Sequence, residues 1–270
     1  MRLIVVAATI LAALSGIQAQ AADGFRPPED VEFVSDRDGS SQRYVVLVPE
    51  TFDPGRPLDV LIALHGHGSD RWQFVKQDRA ECRESRRVAA EAGMLFVSPD
   101  YRAPTSWMGP AAEADLQQIV DQLHQTYRIR HVVICGGSMG AMSALAFAAR
   151  HPEVVDGVVA LNGTANMLEY DQFQEAIQAS YGGTREQQPD VYKTRSAELY
   201  AERLKMPVAT TTGGRDTLVP AASVLRLTKA LKQQGTPVLA IHRPEGGHDT
   251  NAEDTRAALM FVLKTLAAGE

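Results

Sequence analysis

The chain has 270 residues, of which 44% are hydrophobic and 22% charged, and its formal net charge is −6. This composition is typical of a globular protein, and the length suits one large α/β domain. The negative balance and the scattered lysines and arginines argue against a nucleic-acid partner, and no basic cluster points to an anionic membrane surface.

Residues 1–21 have the three regions of a secretory signal peptide. Met1-Arg2 is basic, the run from Leu3 to Leu14 is apolar, and small residues precede an expected cleavage after Ala21. The apolar run is too short to span a bilayer comfortably, which disfavours a membrane anchor. We therefore expect a periplasmic or secreted protein with no stable membrane insertion after cleavage, formed by a single domain over residues 22–270.

The mature chain begins with two strand-like runs, 31–34 and 42–49, joined by the turn-prone segment 36–40. They predict an antiparallel hairpin. From the continuous apolar strand at 58–64 onward, strands and helices alternate, which is typical of a parallel sheet with helices on both faces. The predicted fold class is α/β: a three-layer α/β/α sandwich whose twisted sheet is mostly parallel, with an antiparallel N-terminal hairpin.

The remaining predicted elements alternate in the same way. Helices are expected at 84–92, 111–127, 141–150, 221–234 and 251–266, and strands at 94–98, 131–135, 157–161, 207–212 and 238–243. The less regular stretch 164–205 is expected to be a short helical insertion rather than a large cap domain. Ligand sites in such a sheet lie beyond the carboxyl ends of its strands, so the loops of interest are 65–70, 99–110, 136–140, 213–219 and 244–249.

The segment Gly136-Gly137-Ser138-Met139-Gly140 joins a β-branched strand to an alanine-rich helix. This G-x-S-x-G pattern is typical of a nucleophile elbow, in which glycines beside the serine let strand and helix approach closely. The same pattern also occurs in glycine-rich turns whose serine merely caps a helix. The other loops must therefore supply a base, an acid and an oxyanion hole.

The candidate general base is His248, which lies in the loop after the last predicted strand. A serine hydroxyl becomes a good nucleophile when a neighbouring imidazole accepts its proton. The other histidines outside the 65–68 loop lie within or at the ends of predicted elements, where structural roles are expected: His124, His131, His151 and His242.

A carboxylate is needed to hold such a base in the correct tautomer, and Asp216 is the candidate. It follows directly after the predicted strand 207–212. The carboxylate of Asp249 adjoins the base and is expected to point elsewhere. Asp156, Asp171 and Asp190 lie before a strand or in the irregular stretch. The resulting order, serine, aspartate, histidine, is the one expected of an α/β-hydrolase.

The expected oxyanion donors are two backbone amides, those of Met139 and His67. Met139 follows the serine, and His67 lies between Gly66 and Gly68 in the loop after strand 58–64. A metal pair formed by His65 and His67 is disfavoured because no third ligand has a suitable spacing. We expect no metal site.

Four other residues complete the set of candidates. Tyr101 and Trp107 lie in the loop after strand 94–98 and are either substrate contacts or loop anchors. Cys82 and Cys135 are expected to be free, largely buried thiols, because a strand position seldom faces a helix cysteine squarely enough to bridge.

With the segments HGHG, GGSMG, TGGRD and EGGHD in this order, the sequence resembles the α/β-hydrolase superfamily along essentially the whole mature chain. It is similar to secreted esterases of the polyhydroxybutyrate-depolymerase, feruloyl-esterase and acetyl-xylan-esterase kind, and to the catalytic domain of prolyl-oligopeptidase-like enzymes. The resemblance implies a triad of Ser138, Asp216 and His248 and no cofactor. One departure is His67, which stands where many lipases have a glycine.

The sequence therefore predicts an exported serine hydrolase that cleaves small-molecule or polymer-linked carboxylic esters through an acyl-enzyme. A prolyl-type peptidase or an acyltransferase would use the same residues. A non-catalytic binding protein on this fold is the alternative from a different class. The acyl and alcohol specificity and the oligomeric state are not predicted.

Overall fold

The structure, a computed structural model, describes residues 24–269. The signal peptide expected at 1–21 lies outside the described residues. The first two strands, β1 (Glu29–Val34) and β2 (Ser41–Leu47), pair antiparallel as the sequence predicts. Gly39 lies in the turn between them with a φ of 75°, a conformation that favours glycine.

All eight strands form one sheet in the order β1-β2-β4-β3-β5-β6-β7-β8. Strands β3 to β8 are parallel to one another, and β4 joins them to the hairpin by pairing antiparallel with β2. The remaining bounds are β3 (Leu58–Leu64), β4 (Leu95–Pro99), β5 (Ile129–Gly137), β6 (Gly157–Leu161), β7 (Val208–Gly213) and β8 (Val238–Arg243). Strands β3, β4 and β6 are almost entirely buried, which explains their continuous apolar sequences.

Helices cover both faces of the sheet. Their bounds are α1 (Gln73–Lys76), α2 (Ala80–Glu91), α3 (Pro110–Thr126), α4 (Met139–Arg150), α5 (Gln174–Tyr181), α6 (Pro189–Thr194), α7 (Ala222–Gln233) and α8 (Ala252–Ala268). Alternate residues of β3 separate into the two cores: Ile62 belongs to the core that includes α3, α4 and α7, whereas Leu61 belongs to the core that includes α2 and α8. The three-layer α/β/α prediction is confirmed.

The insertion after β6 consists of α5, α6 and a 3₁₀ helix (Ala197–Arg203). It packs on the α3 and α4 side of the sheet, where Tyr181 and Tyr192 meet edge to face with ring centroids 4.8 Å apart. Arg195 of the insertion forms a buried ion pair with Glu113 of α3. These contacts hold the insertion against the sheet.

Two further expectations concern the membrane and the thiols. No helix within residues 24–269 is long and apolar enough to cross a bilayer. Cys82 and Cys135 are both buried and free, and burial raises the pKa of each thiol to about 12. Neither thiol is therefore a reactive thiolate near neutral pH.

Candidate active site

Ser138 lies at the sharp turn between β5 and α4. Its backbone has a φ of 57°, a left-handed conformation that is rare for a residue with a side chain. A Cβ atom on Gly140 would lie 2.0 Å from the carbonyl oxygen of Leu64, and one on Gly136 would lie 2.4 Å from the Gly140 carbonyl carbon. Only glycine therefore fits at these two positions, which is the geometry expected of a nucleophile elbow.

The structure brings together the serine, histidine and aspartate singled out from the sequence. The Nε2 atom of His248 lies 2.9 Å from Ser138 Oγ, and its Nδ1 atom lies 2.7 Å from Asp216 Oδ2. These residues follow β5, β7 and β8, whose carboxyl ends lie at the same edge of the sheet. The histidine can accept the serine proton while the carboxylate stabilises the imidazolium that results.

Asp216 is held rigidly in this arrangement. Its side chain is only 1% exposed, and Oδ1 accepts hydrogen bonds from the backbone N–H groups of Leu218 and Val219, at 3.0 and 2.8 Å. The second oxygen, Oδ2, is therefore the one that meets His248. Because both carboxylate oxygens have fixed partners, the orientation of the imidazole is fixed as well.

The two residues expected to supply the oxyanion donors lie next to Ser138 in the chain and in the same cleft, respectively. Met139 is the first residue of α4, so its N–H has no acceptor within the helix. In the loop after β3, the side chain of Gln73 accepts the N–H of Gly66 at 2.7 Å, and Gly68 donates to the Pro104 carbonyl. His67 lies between these two anchored glycines and lines the same cleft as Ser138.

Tyr101 is an anchor of the neighbouring loop. It is 1% exposed, and its hydroxyl donates to the backbone carbonyl of His65 at 2.7 Å. The ring of His65 is itself buried and meets the carbonyls of Gly66 and Asp100. Tyr101 does not line the cleft, so of the two roles considered for it, the structure favours loop anchoring over substrate contact.

Trp107 is also buried, with 1% exposure, but it touches a residue of the cleft. Its indole Nε1 donates to Nδ1 of His67 at 3.0 Å. The indole also packs against Phe173 and Tyr170, with ring centroids 5.5 and 5.4 Å away. Trp107 therefore acts on the cleft through His67 rather than as part of its wall.

The cleft over Ser138 has a volume of about 330 Å³, within the range typical of small-molecule sites. Phe173 of the insertion and Leu218 contribute an apolar wall. Several further lining residues belong to elements with no motif of their own, so the sequence does not indicate them: Gln73, Phe74, Arg79, Glu81, Leu161, Asn162 and Thr250.

Charged groups lie at one side of this cleft. Arg79 and Glu81 form an ion pair at 2.7 Å, and the exposed carboxylate of Asp249 also lines the opening. Helices α2 and α8, which begin beside these residues, pack together and are joined by Arg256 and Glu84. The charged side is therefore next to His248, which lies just before α8.

Within residues 24–269, no three histidine, cysteine, aspartate or glutamate side chains converge as metal ligands would. The chemistry that the described side chains themselves support is nucleophilic attack by a hydroxyl with an imidazole as base. The fold is that of the α/β-hydrolases, and this arrangement of side chains is the one expected of the serine hydrolase class.

The comparisons with known proteins agree with this class. The chain belongs to the prolyl oligopeptidase family, whose sequence model matches residues 85–268. This stretch includes Ser138, Asp216 and His248, whereas the loop that carries His67 precedes it. Among curated proteins, no significant match was found.

Solved structures share the fold at low sequence identity. An S-formylglutathione hydrolase from Agrobacterium tumefaciens has a TM-score of 0.69 and 18% identity, over 93% of this chain and 98% of the other. A ferulic acid esterase has a TM-score of 0.68 and 19% identity, over 89% and 97%. A Bacteroides ovatus protein described as a dipeptidyl aminopeptidase IV reaches 0.72 with 17% identity; 90% of this chain covers 36% of it. The family match over residues 85–268, together with the shared fold, confirms the predicted superfamily.

Proposed function

We propose that this protein is an exported serine hydrolase that cleaves carboxylic esters through an acyl-enzyme. The observation that carries the proposal is the hydrogen-bonded series Asp216, His248 and Ser138, with distances of 2.7 and 2.9 Å, at an open cleft. Such a series activates the serine hydroxyl regardless of which acyl group the substrate carries.

In the proposed reaction, Ser138 Oγ attacks the acyl carbon and its proton passes to Nε2 of His248. The carbonyl oxygen becomes an oxyanion that the amides of Met139 and His67 stabilise, a contribution usually worth a few kcal/mol per donor. The imidazolium then gives its proton to the departing alcohol. Water attacks the acyl-enzyme by the reverse route, with His248 again as base, and releases the acid.

Two features support esters as substrates. The cleft of about 330 Å³ has room for a small ester, and its lining includes the apolar side chains of Phe173 and Leu218, which suit an acyl chain. The chain also spans nearly the whole length of a ferulic acid esterase and an S-formylglutathione hydrolase with the same fold.

A peptidase is the second candidate. It is favoured by the matching family, that of prolyl oligopeptidases, and by the exposed carboxylate of Asp249 at the cleft, which can pair with the ammonium group of a peptide. Transfer of the acyl group to an acceptor other than water would use the same three residues.

The test begins with intact-mass analysis of the mature protein after treatment with a fluorophosphonate. We expect one adduct on the wild type and none on Ser138→Ala, whose kcat should fall by on the order of a millionfold while circular dichroism stays unchanged. A folded wild type that forms no adduct would contradict the proposal and favour a binding protein.

Paired substrates separate the two enzyme classes. 4-Nitrophenyl acetate and 4-nitroacetanilide share an acyl group and differ in the bond that is cleaved. An esterase should hydrolyse only the first at a useful rate, whereas efficient hydrolysis of aminoacyl anilides would favour the peptidase.

Fractionation of the native host tests export: we expect the mature protein, beginning at Ala22, in the periplasm or the medium.

A further inference from the structure

The expected role of His67 uses only its backbone N–H, but its imidazole side chain also has a defined hydrogen bond. Its Nδ1 atom lies 3.0 Å from Nε1 of Trp107. An indole N–H is a donor and never an acceptor. Nδ1 of His67 must therefore be the acceptor, and in the neutral ring the proton lies on Nε2.

The surroundings hold this ring in place. It packs on Phe173 with centroids 4.3 Å apart, and the ring of Trp107 lies 5.8 Å away. Trp107 is buried and has a φ of 42°. A buried residue in so unfavourable a conformation is fixed by its surroundings, so the donor facing Nδ1 is fixed as well.

The opposite edge of the ring, which carries Nε2, has no hydrogen-bond partner among the described residues, and His67 lines the cleft beside Ser138. Burial lowers the pKa of His67. The indole N–H also disfavours the doubly protonated ring, because two N–H groups would then face each other at Nδ1. The ring therefore presents a neutral, oriented N–H donor to the substrate cleft.

The position of His67 indicates which part of a substrate it meets. His248 gives its proton to the departing group, so that group must lie beside His248, on the β8 side of Ser138. His67 follows β3, on the other side of β5. With Phe173 packed on its ring, His67 is therefore on the side available to the portion of the substrate that stays attached to the serine.

We propose that the side chain of His67 is a specificity-determining residue that donates a hydrogen bond from Nε2 to an oxygen atom within the acyl portion of the substrate. The inference rests on the proposed ester hydrolysis. The class of substrate it selects is esters whose acyl chain carries an ether, hydroxyl or carbonyl oxygen near the scissile carbonyl. Trp107 is a positioning residue that acts by fixing the tautomer.

The kinetic test compares 4-nitrophenyl methoxyacetate with 4-nitrophenyl butyrate, which differ by one oxygen in place of a methylene. The quantity of interest is the ratio of their kcat/KM values. Comparing this ratio between variants cancels the intrinsic reactivity of the esters. In His67→Phe, which keeps an aromatic ring but has no donor, the ratio should fall by about threefold to tenfold.

Three variants make this comparison specific. His67→Gln keeps both an acceptor for the indole and a donor, and should retain most of the preference. Trp107→Phe frees the tautomer and should lower the ratio part of the way. The matched control is His242→Phe: His242 is exposed on β8, bonds Thr212 and does not line the cleft, so the ratio should not change.

A second substrate pair places the oxygen in the alcohol portion: 2-methoxyethyl acetate against butyl acetate. The wild type and His67→Phe should give the same ratio for this pair. A change here, with none for the acyl pair, would overturn the assignment to the acyl portion. An unchanged ratio for both pairs would overturn the specificity role.

The tautomer is measured independently of activity. In ¹⁵N-histidine-labelled protein at pH 8, the signals of His67, identified by their loss in His67→Gln, should show an unprotonated Nδ1 and a protonated Nε2. A proton on Nδ1 would refute the inference. If the folded wild type cleaves none of the four esters, the proposed function fails and the acyl assignment with it, while this spectrum still decides whether His67 presents a donor.

Discussion

The assignment of Asp216 as the acid can be tested by replacing it with asparagine, which has the same shape. Its Oδ1 accepts two backbone N–H groups, from Leu218 and Val219. In the variant the amide oxygen must occupy this position, because an NH₂ group there would face two donors. The NH₂ group is then placed where Oδ2 was, 2.7 Å from Nδ1 of His248.

This arrangement reverses the polarity of the histidine. Nδ1 must now accept a hydrogen bond, so the proton moves to Nε2, which lies 2.9 Å from Ser138 Oγ. A protonated Nε2 cannot take the serine proton. We expect kcat to fall by about ten-thousandfold, which corresponds to about 5 kcal/mol of transition-state stabilisation. The fold should be unaffected because every backbone donor keeps its acceptor.

The assay is hydrolysis of 4-nitrophenyl acetate, together with the rate of fluorophosphonate labelling. Asp156→Asn is the control: one oxygen of Asp156 accepts the Val132 N–H at 2.8 Å just before β6, and an amide oxygen can do the same. Asp156→Asn should therefore keep wild-type kinetics. If Asp216→Asn retains more than a tenth of the wild-type kcat, the tautomer argument and the acid assignment are both wrong.

Three further predictions concern stability. Gly140→Ala places a methyl group 2.0 Å from the Leu64 carbonyl oxygen, so urea denaturation should show a loss of at least about 1–3 kcal/mol; Gly137→Ala, whose Cβ meets no atom within 4 Å, should cost clearly less. Although burial opposes ionisation of Glu113, hydrogen bonds and nearby arginines lower its pKa to about 2. Its folded pKa lies below the unfolded value, so its charge stabilises the protein above about pH 4.5, and this stabilisation is lost as the pH falls toward 2. Glu113→Gln should thus cost about 3 kcal/mol at pH 7, with a gap to wild type that narrows below pH 4.5; a constant gap would contradict the assignment. Tyr101→Phe should lower the free energy of unfolding by about 1 kcal/mol and leave KM unchanged, and a raised KM would restore its role as a substrate contact.

Element types were predicted well because they depend on local patterns. The strands at 58–64, 157–161 and 238–243 have the predicted bounds. Strand β5 continues through Gly137, two residues beyond its β-branched run, since parallel pairing with β6 extends it. The four-residue helix α1 was not predicted because it is too short to show a helical period.

The site residues that could be predicted from the sequence are those marked by a local motif or by their position after a predicted strand. Ser138 is marked by Gly136 and Gly140, two positions at the elbow whose surroundings leave no space for a Cβ atom. Asp216 and His248 are marked by their places after successive strands of a parallel sheet, which bring their side chains to one edge. Chain order and local conformation therefore determine the candidate site, since parallel strands can bring their ends together in only a few ways.

Only the tertiary structure decided how the cleft around this site is lined. Trp107 and His67 are 40 residues apart, and their hydrogen bond depends on how the loops after β3 and β4 pack under the insertion that carries Phe173. Neither segment has a sequence pattern that predicts contact with the other, because side-chain contacts between loops depend on the packing of whole elements. The sequence by itself determined the kind of chemistry, and tertiary packing decided which groups surround the substrate.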